Sequence, residues 1–382
     1  MIAVTASLSV AALIYGLTVP LLSLILERQG VDHTLIGLST ATQSLAVFGA
    51  APLVPRLMRF PGPAWLMLWS IIASIILLLL LPAFPNVYAW FPLRFMLGLA
   101  WSVVWIAGEA WINQAAQDHV RGRVLALFAM AVTGGFALGP LILIASGSDG
   151  WAPFIVAAAI MAVAAIPLFL ILSQATLLEG QRSTSLHRYL LLAPVPMLLH
   201  ACFASADGIL LTFTPIYGLR LGLGEAYSLT LITLMGAGGI ALQLPVGWLA
   251  DHMNRMLLTA IMVVVITLGA ISMPLVIAHS PWNWMFMFLF GGALGSLYTL
   301  GLVLMGQRFK GADLVAASSV FGIMWSTGAI VGPPIGGLGM EYIGTHGMPI
   351  ALALIFLAVS PFPIVSYFRS RRTTTDVLGT RQ

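Results

Sequence analysis

Five residues of one apolar stretch, Arg94, Gly98, Trp101, Trp105 and Glu109, step along the chain by four, three, four and four. At about 100° per residue this spacing gathers them within an arc of about 80°, one face of a helix. A charged side chain at the centre of a bilayer costs at least about 2.5 kcal/mol, so a stripe carrying two charges is expected to face a wet interior rather than lipid. Arg94 and Glu109 can hold a charged molecule or pass on a proton. The indoles between them offer flat apolar walls that also attract cations. Each charge has a structural alternative: Arg94 as a donor to a neighbouring carbonyl, Glu109 as the ion-pair partner of Arg56, Arg121 or Arg123.

A second apolar stretch sets His200 and Asp207 seven residues apart, nearly on one line of a helix that Thr214 continues. Asp207 is the best candidate in the second half of the chain to carry a proton. Its alternative is a helix contact or a salt bridge, with Arg220 as the partner. His200 reads either as a shuttle or as a satisfied interior histidine. Tyr15, Gln43, Tyr298, Trp325 and Ser326 also interrupt apolar stretches and can line a cavity or simply pack.

Helices in lipid must hold these side chains. Sixty per cent of the 382 residues are apolar and 7% are charged, against about 25% charged in soluble domains, and the mean hydropathy is +1.03. The net charge of +4 comes from basic residues scattered through short connections, without the basic groove or helix that nucleic acid requires. The single cysteine, Cys202, rules out an internal disulfide. No zinc spacing, phosphate loop, catalytic triad or nucleotide motif is present. Neither an enzyme nor an ATP-driven pump is expected, and no metal or cofactor. Met1 opens directly into apolar sequence with no basic run before it, which predicts a first span rather than a cleaved signal.

A membrane-crossing helix needs about 20 mostly apolar residues. Twelve such windows occur, at roughly 2–26, 34–55, 63–84, 89–113, 123–146, 152–173, 189–217, 226–250, 256–278, 283–306, 313–338 and 347–368. They predict an all-α membrane protein of twelve transmembrane helices in two six-helix bundles, 1–173 and 189–368. A cytoplasmic linker at 174–188 and a cytoplasmic tail at 369–382 complete it. With both termini cytoplasmic, thirteen basic residues fall on the inner side and only Arg28 and Arg220 on the outer, a strong inside-positive bias.

The two halves repeat one another. Gly135-Phe136-Ala137-Leu138-Gly139-Pro140 returns 193 positions later as Gly328-Ala329-Ile330-Val331-Gly332-Pro333, close to half the chain length. Small residues four apart let helices approach closely in lipid, and proline frees a carbonyl and bends the helix. The two copies are expected to be bends where the halves pack and rock, with ordinary tight packing as the alternative.

The stretch Gly247-Trp248-Leu249-Ala250-Asp251-His252-Met253-Asn254-Arg255 resembles the cytoplasmic loop signature of the major facilitator superfamily, with Asn254 in place of a glycine. Asn tolerates left-handed backbone, which makes that exchange mild. The matching stretch Pro55-Arg56-Leu57-Met58-Arg59 keeps the arginines and lacks the aspartate. Arg94 to Gly98 resembles the family's fourth-helix motif, and the Gly-x-x-x-Gly-Pro copies resemble its fifth-helix motif, which is associated with antiporters. Trp105 to Arg123 and Gly247 to Arg255 look most like the YcaD-like branch. The resemblance implies a pseudo-symmetric bundle whose first, fourth, seventh and tenth spans line the cavity, favouring Tyr15 and Tyr298. It also implies a cytoplasmic latch at Gly247, Asp251 and Arg255.

Together these readings predict a secondary transporter in a bacterial inner membrane, working by alternating access as a monomer. Its partners are the lipid bilayer, a small lipophilic or weakly charged substrate, and protons, with the proton gradient as the energy source. Proton-coupled efflux is the first reading. Uptake of an organic acid or sugar is the second, with Arg94 as the anion contact. A non-transporting sensor or scaffold is the reading from another class, disfavoured by the retained intramembrane charges.

Overall fold

The computed structural model describes residues 2–58, 62–115, 121–170 and 186–369. In lipid every backbone polar group must find a partner inside the protein, and helices provide that within one segment. The described residues form α1 (Ile2–Arg28), α2 (His33–Leu57), α3 (Pro63–Ala83), α4 (Val87–Ala115), α5 (Arg121–Ser146), α6 (Ala152–Leu170), α7 (Leu186–Leu192), α8 (Pro194–Arg220), α9 (Glu225–Ala241), α10 (Gln243–His252), α11 (Arg255–Val276), α12 (Trp282–Arg308), α13 (Gly311–Ile343) and α14 (Gly347–Val359). Hydroxyls inside these helices donate back along their own turns, as Thr18 does to the Ile14 carbonyl at 2.7 Å and Ser74 to Ser70 at 2.7 Å.

Eleven segments of the described residues are long and apolar enough to cross a membrane, with α9 and α10 counted as one. The eleven do not include α13, whose 33 residues supply the twelfth helix by length and position. Its sequence is diluted by glycines and by Pro333-Pro334, and it packs against α2 on one side and α8 on the other. The expected linker at 174–188 lies outside the described residues up to position 185, and the tail lies outside from position 370.

Two spans differ from expectation. The seventh is split into α7 and α8 at Ala193, whose φ of −134° and ψ of 64° are not helical. A residue before proline is driven out of the helical region, and Pro194 follows. The eighth is split at Leu242, with α10 starting at Gln243. Pro245 has no N–H to offer the Ala241 carbonyl, so the ladder loosens there.

The glycines of the twin motifs seat each motif helix on a neighbour within its own half. Gly135 lies against the Ser9 carbonyl of α1 and Gly139 against the backbone of Gly16, with no room for a Cβ at either. In the second half Gly328 lies against the Ala201 carbonyl of α8 and Gly332 against that of Ser205. The Ser205 hydroxyl also donates to the Gly328 carbonyl at 3.0 Å. The fifth helix of one half therefore seats on its first helix as α13 seats on α8, and the sequence repeat is a structural one. Both α5 and α13 run on through their prolines. The opposite faces of the motifs do meet the other half: Ala137 touches Gly236 of α9, and Pro333 and Pro334 crowd Gly37 of α2.

Candidate functional site

The turns α1–α2, α3–α4, α5–α6, α8–α9, α11–α12 and α13–α14 share one end of the bundle, here the distal rim. The opposite end is the terminal face. At the distal rim, charged residues join the halves. Arg28 of α1 pairs with Glu225 of α9 and with Asp149, and bonds the Ser148 hydroxyl. Arg220 of α8 reaches Glu27 of α1 at 3.0 Å. His33 of α2 receives Glu341 of α13 on its backbone N–H at 3.0 Å and on Nδ1 at 2.8 Å, while Nε2 stands 3.1 Å from Glu27. Only the imidazolium offers an N–H to both carboxylates.

Sequence reasoning missed Glu27, His33, Glu225 and Glu341. The signal was a carboxylate or histidine at the end of each of several spans, but which turns face one another is a tertiary fact.

Below this closed rim lies the middle of the bundle. Tyr15, Trp101 and Asp207 are each the central residue of their helix, α1, α4 and α8. Tyr15 and Trp101 rings sit 5.7 Å apart, and Phe136 of α5 meets Tyr15 edge-on at 5.6 Å and Trp105 at 6.4 Å. Asp207, from the other half, lies within electrostatic reach of Tyr15. It is partly exposed, and no hydrogen bond or ion pair to it is formed among the described residues. The expected partner Arg220 is at the rim on Glu27, so the salt-bridge alternative for Asp207 does not hold.

The charges of α4 part company. Arg94 is 0% exposed and does not face a wet interior as its stripe predicted. Gly98 lets α4 press on the Gln43 carbonyl and Ala46 of α2, and Arg94 then bonds the Ser39 and Thr40 hydroxyls, each at 3.3 Å. Glu109, fifteen residues on and so about 22 Å away along the helix, is exposed. It accepts the Trp105 indole N–H at 3.0 Å and lies within electrostatic reach of Tyr298 in the opposite half. The side chains of Arg121 and Arg123 lie outside the described set. Arg94 and Glu109 are too far apart to grip one small molecule.

His200 is buried in an aromatic stack, 3.7 Å from the Phe321 ring and nearly parallel to it, with Tyr298 at 5.4 Å and Phe203 at 6.0 Å. Two turns of α8 separate it from Asp207. Thr214 and Gln43 are buried, Ser326 bonds within its own helix, and Trp325 is half-buried.

The Gly247–Arg255 motif is a helix corner more than a loop. Gly247 and Asp251 belong to α10, so only Met253 and Asn254 form a turn. Asn254 has φ of −61°, not a left-handed one, and caps α11 by accepting from the N–H groups of Met256 and Leu257. Arg255 bonds the Ala250 carbonyl at 3.0 Å and stands 3.6 Å from the exposed Asp251. The pair ties α10 to α11, two neighbouring helix ends.

The family model of the Major Facilitator Superfamily matches residues 4–309. The chain belongs to this superfamily. Among curated relatives, the uncharacterized MFS-type transporter YfkF of Bacillus subtilis is 26% identical over 347 residues, 87% of this chain and 86% of its own. YcaD of Escherichia fergusonii, described in the same words, is 24% identical over 293 residues, 76% and 74% of the two chains. Of solved structures, a mutant of the nucleoside transporter NupG superposes with a TM-score of 0.79 at 13% identity, covering 95% of this chain and 98% of that one. A D-xylose-proton symporter gives 0.69 at 14%, covering 95% and 97%. At these identities the likeness to solved structures is one of fold. The chain is a multi-pass membrane transporter of the MFS fold.

Proposed function

We propose that this MFS transporter moves a small, lipophilic or weakly charged molecule by alternating access and couples that movement to protons at Asp207. The observation that carries the reading is a carboxylate at the midpoint of α8, partly exposed, without an ion-pair partner among the described residues, and within electrostatic reach of Tyr15 in the other half. An ionisable group at that depth is a functional group by default. Here a proton is its simplest occupant.

The bodies that rock are the bundles of residues 1–173 and 189–368, joined by the 174–188 linker. With the closed distal rim outside and the basic terminal face in the cytoplasm of a bacterium, the state described opens inward. Glu109, near the terminal face, is the second carboxylate on the route, and His200 is an aromatic wall of the cavity. Export by proton exchange accords with the paired glycine motifs, and one chain contains a whole pathway and works as a monomer.

Purified protein in liposomes holding an internal pH dye, challenged with a panel of small molecules, tests this. A compound should drive proton movement through the wild type that Asp207→Asn abolishes. Equal substrate movement in both proteins without a pH change would refute coupling at this residue.

A further inference from the structure

Arg94 is an interior cation without a counter-charge among the described residues. It is wholly buried, its two hydrogen bonds go to neutral hydroxyls at 3.3 Å, and its Nε meets no acceptor among the described residues. The helices around it cannot supply a carboxylate. Between Ile2 and Ala115 the acidic residues are Glu27, Asp32 and Glu109, and Asp32 is exposed at the start of α2, seven residues or about 10 Å before Ser39. Glu27 is held at the rim by Arg220 and His33, and Glu109 is about 22 Å along α4. Asp207 lies beyond Tyr15, across the interface between halves. A buried charge is tolerated when it is paired and hydrogen-bonded, and costs dearly otherwise.

A second group on the same seam is equally unanswered. Gln43, one turn below Thr40 on α2 and opposite Gly98, is buried with both ends of its amide unpartnered. Arg94 reaches Ser39 and Thr40, and Gln43 follows one turn further along α2, where Gly98 of α4 packs on its backbone carbonyl, while Ser44 bonds Tyr15. The set is rich in donors and holds no anionic acceptor.

We propose that Arg94 and Gln43 bind a small monovalent anion between α2 and α4, a counter-ion supplied from solution in place of a carboxylate that no described residue brings there. The guanidinium contributes the charge and two directed N–H groups, the amide of Gln43 a third donor and the Ser39 hydroxyl a fourth, while the Thr40 hydroxyl donates to the Ile36 carbonyl at 3.3 Å. The ion is small because α2 and α4 touch at Gly98, and monovalent because one guanidinium faces it. Since the site lies apart from Asp207, it does not depend on the coupling reading.

The test uses full-length protein in detergent, transferred into sodium gluconate and titrated at constant ionic strength and pH with chloride, bromide, formate or acetate. Thermal unfolding is followed by circular dichroism. The wild type should gain stability saturably with one of these anions. Arg94→Met should lose the response, and Gln43→Leu should weaken the midpoint about tenfold, the worth of one hydrogen bond to a charged group. Asp207→Asn should keep it. Crystals grown in bromide should show one anomalous peak within hydrogen-bonding distance of Arg94, which decides the matter if Arg94→Met does not fold. A response to halides identifies an inorganic ion, and a response to formate and acetate alone identifies a carboxylate. Unfolding that is the same in every salt, with no bromide at Arg94, overturns the proposal, as does an anion response that survives Arg94→Met.

Discussion

The distal rim and the mid-bundle interior use charge in opposite ways. At the rim Arg28, Glu225, Arg220, Glu27, His33 and Glu341 are paired across the halves. In the interior Asp207 has no such partner among the described residues, and Arg94 meets only hydroxyls. Rim pairs lie partly in water, where each is worth little and breaks cheaply. Charges at mid-depth are expensive to leave unpaired and are retained where something must bind.

Neutralising one carboxylate in each region makes the contrast measurable. Asp207→Asn should lower substrate-driven proton flux on the order of 100-fold, the scale of losing a proton-transfer group. Glu341→Gln should change it less than about threefold, and equal losses would erase the distinction. Next in size is the packing on which both regions depend. Gly332→Leu forces a side chain into the Ser205 backbone and should destabilise by roughly 1–3 kcal/mol or more, seen as a lower melting temperature. Gly247→Leu, where a Cβ meets open space, should not.

A smaller effect is expected from loosening the rim itself. Arg28→Ala with Glu341→Gln should shift the balance toward distal opening about fivefold, for roughly 1 kcal/mol in partly exposed pairs. Spin-label distances across the rim would report it, and unchanged distances would mean the ion pairs are passive. The smallest belongs to Asp251→Asn. Its pair with Arg255 is local and exposed, so transport should stay within about twofold of wild type.

Much of the architecture was legible because lipid imposes simple rules. Run length fixed the spans, and the repeat of Gly135–Pro140 at Gly328–Pro333 announced two related halves. Asp207, Trp101 and Tyr15 were readable as interior groups because polar and aromatic residues stand out in an apolar background. What could not be read was partnership. Whether Gly332 meets α8 or the other half, and whether Arg220 turns to Asp207 or to Glu27, depends on helix rotation that no local pattern encodes. The breaks at Ala193 and Leu242 were legible in principle from Pro194 and Pro245. Long hydropathy windows average over such single residues. Asn254 misled for a different reason, since Asn serves both left-handed turns and helix caps.

The hydrogen bond from Trp105 to Glu109 also makes the protein its own indicator. An indole whose N–H points at a carboxylate emits differently when that carboxylate gains a proton or is drawn toward a ligand. A variant keeping Trp105 as its single tryptophan would give an optical record of events around Glu109. That record could be taken in intact membranes and on the timescale of mixing, with no attached label.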